Sequence, residues 1–547
     1  MLTKNHNRMP SMTEPRGTSI SRRRLLTMIG LSAGSSAMYQ AMYSLGLAAE
    51  TTFQEPIRLS PAPRGASVLV LGAGMAGLVA AYELRNAGYK VQVLEYNERA
   101  GGRNWTLRGG DRYTELGGET QECRFDPGLY INPGPWRLPY HHRGMLSYCK
   151  RLGVALEPFV QINHNAYLHS SRAFGGKPQR LRTVKADYQG HIAELLAKAT
   201  QGHALDADVS AGDQELLLDS LRWWGALDKD YKFSKSMQSS DRRGFDRHPG
   251  GGLSARPLLS EPVGLSDLLN SGLWAALPFG DLYDMQTTMF QPVGGMGQVG
   301  QAFARELGPL IRYNAKVVEI HQDARGVSAI FEDRSAATGR HTVQADWCVC
   351  TIPLSILGQI PMNVGTPMAE AIAAVPYSTG LKVGLQFKRR FWEQDEEIYG
   401  GITYTSLPIG QISYPSSHFF ADGKGVLLGA YIWDMLTSES FSAMTPAQRV
   451  AKAVEYGSQI HPQYTEEFDN GIAVAWHRVP FAMGCFGIWT DETRDRHYDN
   501  LCAFDGRIVL AGEHASYLPA WQEGAVTSAL DAIGRLHQRA LSAGAST

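Results

Sequence analysis

At 547 residues the chain is long enough for two or three domains sharing one large core. Its 52 Lys and Arg stand against 53 Asp and Glu, so there is no basic field to hold a phosphate backbone or an anionic membrane, and nucleic acid is excluded as an expected partner. The six cysteines, Cys123, Cys149, Cys348, Cys350, Cys485 and Cys502, show neither CxxC pairs nor Cys/His spacing, which predicts no metal and no disulfide framework.

The chain opens on Ser21-Arg22-Arg23-Arg24-Leu25-Leu26, followed by a weakly apolar stretch through Ala49. Residues 1–49 resemble a twin-arginine export signal, which implies transfer of a folded, cofactor-loaded protein by that machinery to the periplasm or beyond. A basic tail and a membrane anchor are the alternatives. Serines and a glutamine interrupt the apolar run, so no stable membrane insertion is expected. Residues 50–64, with several prolines, read as a linker.

Ser67–Leu71 is an aliphatic, β-branched run of the kind found in buried parallel strands, and it leads directly into Gly72-Ala-Gly74-Met-Ala-Gly77. A helical pattern follows to Asn86, Gly88 stops it, and Tyr89–Leu94 forms a second strand ending at Glu95. This is a dinucleotide-binding βαβ unit. Gly72 permits the tight turn, Gly74 admits the pyrophosphate to the helix N-terminus, Gly77 lets helix and strand pack closely, and Glu95 can accept hydrogen bonds from ribose hydroxyls. The fingerprint alone does not separate NAD from FAD.

Arg99-Ala-Gly-Gly-Arg103 and Glu115-Leu-Gly-Gly118 come next, Gln291–Gly297 reads PVGGM at its centre, and Arg507–His514 precedes Pro519-Ala-Trp521-Gln-Glu-Gly524-Ala525. Together these resemble the flavin amine oxidase superfamily over about residues 65 to 540, most closely its bacterial L-amino-acid oxidases. The resemblance implies FAD, without a covalent bond in most amino-acid oxidases. It implies that Arg103 neutralises the diphosphate, that Val318 on the returning strand Ala315–Ile320 contacts the cofactor, that Glu513 accepts from the ribityl chain, and that Gly524 and Ala525 stabilise the flavin's pyrimidine end. Met483-Gly-Cys485-Phe486 resembles the run through which some monoamine oxidases bind flavin covalently; a plain buried thiol is the other reading.

An amino acid differs from a plain amine by its carboxylate, and burying that charge calls for a guanidinium fork. Asn132-Pro-Gly-Pro-Trp136-Arg137-Leu-Pro139 is similar to the stretch whose arginine pairs with that carboxylate in L-amino-acid oxidases, and Gly425–Tyr431 is similar to the strand whose tyrosine assists it. Arg137 and Tyr431 are therefore the expected clamp, although a longer insertion than in several relatives separates Gly118 from Arg137. A surface salt bridge and a core tyrosine are the alternatives. Lys382, in Thr379–Phe387, matches the superfamily lysine that reaches the flavin through a water. Because Leu381 and Val383 point to the opposite face, Lys382 points inward unless the strand is an edge. Trp521, with Phe486, would wall the amine site, or simply fill core.

The implied reaction converts an L-amino acid and dioxygen to a 2-oxo acid, ammonia and hydrogen peroxide; no protein base is evident. An oxidase of amines without a carboxylate and an oxidative decarboxylase are the rivals. The expected fold is α/β: a Rossmann-type, two-dinucleotide-binding FAD domain (65–135, 290–355, 480–540) interleaved with an α+β substrate-binding domain, mostly helical over 140–289 and strand-rich over 356–479. Relatives often dimerise, so a homodimer is expected.

Overall fold

The computed structural model describes Phe53 and residues 57–253, 255–285, 288–336 and 339–544. The expected export signal, 1–49, lies outside the described residues. Of the expected linker, Ile57, Leu59 and Ala62 pack on the main core, and Ser60 Oγ lies 2.8 Å from His537 Nε2 on the C-terminal helix. Among the described residues no helix is long and apolar enough to cross a membrane.

Six strands form the central sheet, in the order Ile311–Arg312, Lys90–Leu94, Ser67–Leu71, Trp347–Cys350, Ile508–Leu510 and Phe504–Asp505. All pair in parallel except the last, a hairpin partner of its neighbour. Parallel strands buried on both faces demand continuous apolar sequence. Trp347–Cys350 supplies it: Val349 packs into the core on one face, and Cys348 and Cys350 share the other. All six cysteines are free.

Helices Met75–Asn86 and Gln522–Gly544 cover one face of the sheet. The first sits close because residue 77 is glycine: a Cβ there would lie 1.9 Å from the Gly72 carbonyl oxygen. Gly72 itself has φ +101°, a conformation that side chains resist.

A second sheet of seven strands runs Gln179–Arg180, Tyr167–His169, Ile402–Thr405, Gln411–Ser413, Gly425–Ile432, Leu381–Phe387 and Phe468–Ala475. Leu381–Phe387 is buried throughout and paired on both sides, with Lys382 opposite Tyr431 on one neighbour and Val474 on the other. The edge-strand alternative for Lys382 therefore falls. Leu381, Val383, Leu385 and Phe387 fill the core behind the sheet, and Lys382 points the other way. Helices Arg143–Arg151, Leu181–Gln201, Ala211–Gly225, Met237–Arg243 and Leu265–Ser271 occupy the intervening excursion.

Candidate active site

Strand ends build the cavity. Ser67–Leu71, Lys90–Leu94, Trp347–Cys350 and Ile508–Leu510 all deliver their carboxyl ends to one side of the parallel sheet, where such folds bind ligands. Gly72, Glu95, Thr351 and Glu513 line one cavity of about 1370 Å³, its open mouth included.

One end is shaped for a diphosphate. Gly74 precedes the helix Met75–Asn86 without a side-chain cap, and a Cβ at Gly74 would meet nothing within 4 Å. Anything larger than hydrogen would project into open space beside free helix N–H groups, where an anion is stabilised. Gly101 lies against Gly74 in a parallel bridge, its N–H donating to the Ala73 carbonyl at 2.8 Å. The buried Glu95 accepts from the N–H groups of Ala73 at 2.7 Å and Asn97 at 2.8 Å, which fixes its carboxylate on the cavity wall.

Arg103 donates to Glu513 at 2.9 Å and to the Cys485 carbonyl, tying the first and last cofactor segments together. Burial opposes the Arg103 charge, but the Glu513 carboxylate outweighs it and raises the pKa. Ala525 lies on the wall; Gly524 does not, because it is tucked under the turn before the helix, where a Cβ would stand 2.3 Å from the Leu518 carbonyl oxygen. Val318 is likewise off the wall. A β-bulge between Val317 and Glu319 makes Val318 the unpaired extra residue, so Val317 is the side chain that reaches the cavity. Gly77 serves the packing of helix on strand and does not line the cavity.

At the other end the aromatic side chains gather. Trp136 is a hub: its ring centroid is 5.0 Å from Arg137 Cζ, 4.4 Å from Lys382 Nζ and 5.1 Å from the Tyr431 ring. Lys382, 3% exposed, donates to the Gly134 carbonyl and lies 4.3 Å from the Tyr431 ring. Desolvation pushes its pKa well below the usual lysine value, with the nearby Arg137 charge adding to the effect, so the amine is held toward its neutral form. Tyr431, Trp433, Phe486 and Trp521 are on the wall, with Trp433 4.3 Å from Tyr431 and 5.5 Å from Phe486.

Arg137 is placed differently from the expectation of a wall residue. It sits behind the aromatic shell, 5% exposed, with Cζ 5.9 Å from the Trp521 ring. The surface-salt-bridge alternative falls with that burial. Its Nη2 donates to Met285 Sδ at 3.3 Å, while Nε and Nη1 are buried without a hydrogen-bond partner among the described residues.

The Glu115–Gly118 segment does not line the cavity either. The hairpin Arg112–Glu122 carries it away, Glu115 pairs with the buried Arg449, and Pro133-Gly134-Pro135 takes the wall position instead. Trp223 and Trp224 lie on the helical excursion, 73% and 47% exposed. Sequence reading missed Trp136 and Trp433; each adjoins or nearly adjoins a residue it had chosen, Arg137 or Tyr431.

Residues 75–536 match the model of the flavin-containing amine oxidoreductase family. The chain belongs to that family. Members with curated functions include an L-amino-acid oxidase of Vipera ammodytes ammodytes, 29% identical over 478 residues covering 85% of this chain and 91% of the relative. One of Siganus canaliculatus is 29% identical over 497 residues, 87% and 86% of the two chains. Solved structures with the same fold include the cyclohexylamine oxidase from Brevibacterium oxydans IH-35A, with TM-score 0.57, 17% identity and coverage of 87% and 99%. Wild-type putrescine oxidase bound to putrescine gives TM-score 0.55, 18% identity and the same coverages. The cofactor is FAD: the family is flavin-containing, and the open glycine trough with Glu95 fits the adenosine diphosphate half of the dinucleotide. Cys485 lies on the wall, but burial raises its thiol to about 11, which keeps it protonated and a weak nucleophile near neutral pH.

Proposed function

We propose that this flavoprotein oxidises L-amino acids, consuming dioxygen and water and yielding a 2-oxo acid, ammonia and hydrogen peroxide. The observation that carries this reading is Arg137: a buried guanidinium with Nε and Nη1 unpartnered is a charge without its anion, and a substrate carboxylate supplies one. Arg137 Cζ lies 5.9 Å from the Trp521 ring, and the side chain meets a substrate in the cavity by moving past that ring. Tyr431, facing the same shell, is the second expected donor to the carboxylate.

The bound flavin supplies the redox chemistry, taking two electrons from the substrate and passing them to dioxygen. The protein orients the substrate and accepts its proton. Arg137 and Tyr431 fix the α-carbon, which can lower the barrier by several kcal/mol through orientation alone. Trp521, Phe486 and Trp433 confine the amine and exclude water. Lys382, held toward its neutral form, can take the proton that the substrate ammonium must lose, and in its protonated form favours negative charge developing on dioxygen.

One observation favours a second reading. Arg137 is not on the cavity wall, as expected of an oxidase of amines that lack a carboxylate. A peroxide-coupled screen of the twenty L-amino acids, their D forms and simple mono- and diamines separates the two. Turnover confined to L-amino acids is the expected result; turnover of amines alone would overturn the reading. Recovery of 2-oxo acid and ammonia, rather than amide and carbon dioxide, excludes oxidative decarboxylation. The twin-arginine segment supports folded export to the periplasm or beyond, tested by fractionating cells expressing the wild type and an Arg22→Lys, Arg23→Lys variant.

A further inference from the structure

Behind Arg137 the structure gathers three side chains that the cavity does not use. His141 and His142 follow the strand Leu138–Pro139 after Tyr140, and Asp284 lies in the turn Tyr283–Met285 shortly before the strand Met289–Pro292. Those two strands pair, with Met289 opposite Pro139 and Phe290 opposite Leu138, so residues far apart in sequence converge. One ligand atom from each of the three lies within 4.8 Å of the others. His141 is 6% exposed, and His142 and Asp284 are fully buried.

Their hydrogen bonding is incomplete. His141 Nε2 lies 2.8 Å from Asp284 Oδ1, but His141 Nδ1, both ring nitrogens of His142 and Asp284 Oδ2 have no partner among the described residues. A buried unsatisfied polar group costs about 1–3 kcal/mol, and native interiors leave few of them. Several in one cluster, all of ligand type, indicate a group that binds there.

We propose that His141, His142 and Asp284 bind one divalent transition-metal ion of the zinc type. Two imidazoles and one carboxylate suit zinc, cobalt or nickel, whereas magnesium and calcium prefer oxygen throughout. The neighbouring Arg137 charge opposes any cation, which also favours a metal with strong nitrogen bonds. On binding, the metal takes the place of the proton between His141 Nε2 and Asp284; a neutral His141 moves that proton to Nδ1 and a protonated one releases it to solvent, three metal–ligand bonds form, and water completes the coordination. The rings of Tyr140 and Tyr283, both more than a third exposed, stand 5.2 and 4.5 Å from the His141 ring, so the cluster lies one side chain below the surface.

The site would act on the cavity from behind. It cross-links the segment carrying Arg137 to the turn carrying Met285, which holds Arg137 Nη2. The His142 ring also stands edge-on to Trp521, 4.9 Å between centroids. A bound metal therefore anchors the segment from which Arg137 projects, together with one wall.

The test uses the full-length, FAD-loaded protein, stripped with a chelator and dialysed against zinc or cobalt chloride alone. About one equivalent of metal should be retained per chain, with a raised melting temperature. Asp284→Asn and His142→Phe, the latter preserving a ring against Trp521, should each weaken retention at least tenfold while the flavin spectrum stays as in the wild type and the metal-free melting temperature does not fall. Retention of under about a tenth of an equivalent overturns the proposal, as does equal retention in both variants. So does a change in Asp284→Asn confined to the preference for basic over neutral amino acids with no metal bound, which would make the cluster a subsite for the substrate's side chain.

Discussion

Two buried arginines in this molecule meet opposite surroundings. Arg449, fully buried between a helix and the seven-stranded sheet, donates to both carboxylate oxygens of Glu115, at 3.0 Å for one of them. It also donates to the carbonyls of Phe441 and Ser442 at 3.0 and 3.1 Å, and Arg478 stands 3.3 Å from the same Glu115. Arg137, almost as deeply buried, has a thioether sulfur. Burying an ion costs several kcal/mol unless paired and hydrogen-bonded. Where the protein supplies the partner the charge is structural, and where it does not, a ligand is the remaining source.

That contrast can be broken at either end. Arg449→Met strands the Glu115 carboxylate in the interior and should cost about 3–5 kcal/mol of stability, read by denaturant titration. Activity per folded, flavin-loaded molecule should be retained, since Arg449 does not line the cavity. A loss below about 1 kcal/mol would mean that the pair contributes little and the comparison fails. Arg137→Met should do the reverse. Removing one member of a buried charge pair costs about 3–4 kcal/mol in binding, so kcat/KM for amino acids should fall roughly 10²- to 10³-fold. Its melting temperature should hold or rise, because an unpartnered guanidinium leaves the interior. A destabilised variant with full turnover would make Arg137 the structural arginine after all.

The dinucleotide half of the site was legible in the sequence because its chemistry is local. Gly72, Gly74 and Glu95 lie within one βαβ unit, and their spacing carries the geometry. Lys382 was legible too, since a lysine alternating with Leu381 and Val383 must face away from them. Long-range features were not. Whether Arg137 touches the cavity depends on how Trp136 and Trp521 pack around it, and Val318 lost its place to Val317 through a single bulge. The Glu115 segment resembled a cofactor loop, yet the partner that claims it, Arg449, is 334 residues away. The cluster of His141, His142 and Asp284 was not legible because strand pairing, not sequence spacing, unites these residues.

Lys382 is the intermediate case, a buried cationic side chain given carbonyls but no carboxylate, and it sharpens the comparison through pH. Desolvation, with Arg137 adding to it, sets its pKa in the folded protein well below the 10.5 of an exposed lysine. Between those two values the unfolded chain carries a proton that the folded chain lacks, so stability rises with pH. Below the folded value both states are protonated and the slope vanishes. One proton gives at most about 1.4 kcal/mol per pH unit. Lys382→Met removes that contribution, so the variant should be more stable than wild type near neutral pH, with the difference closing as pH approaches 10.5. Denaturant titrations of both proteins at a series of pH values give the difference directly. Parallel profiles would show that Lys382 keeps its proton on folding, which requires an anion beside it; the buried cations would then already be partnered, and the case for a carboxylate as the missing one would weaken.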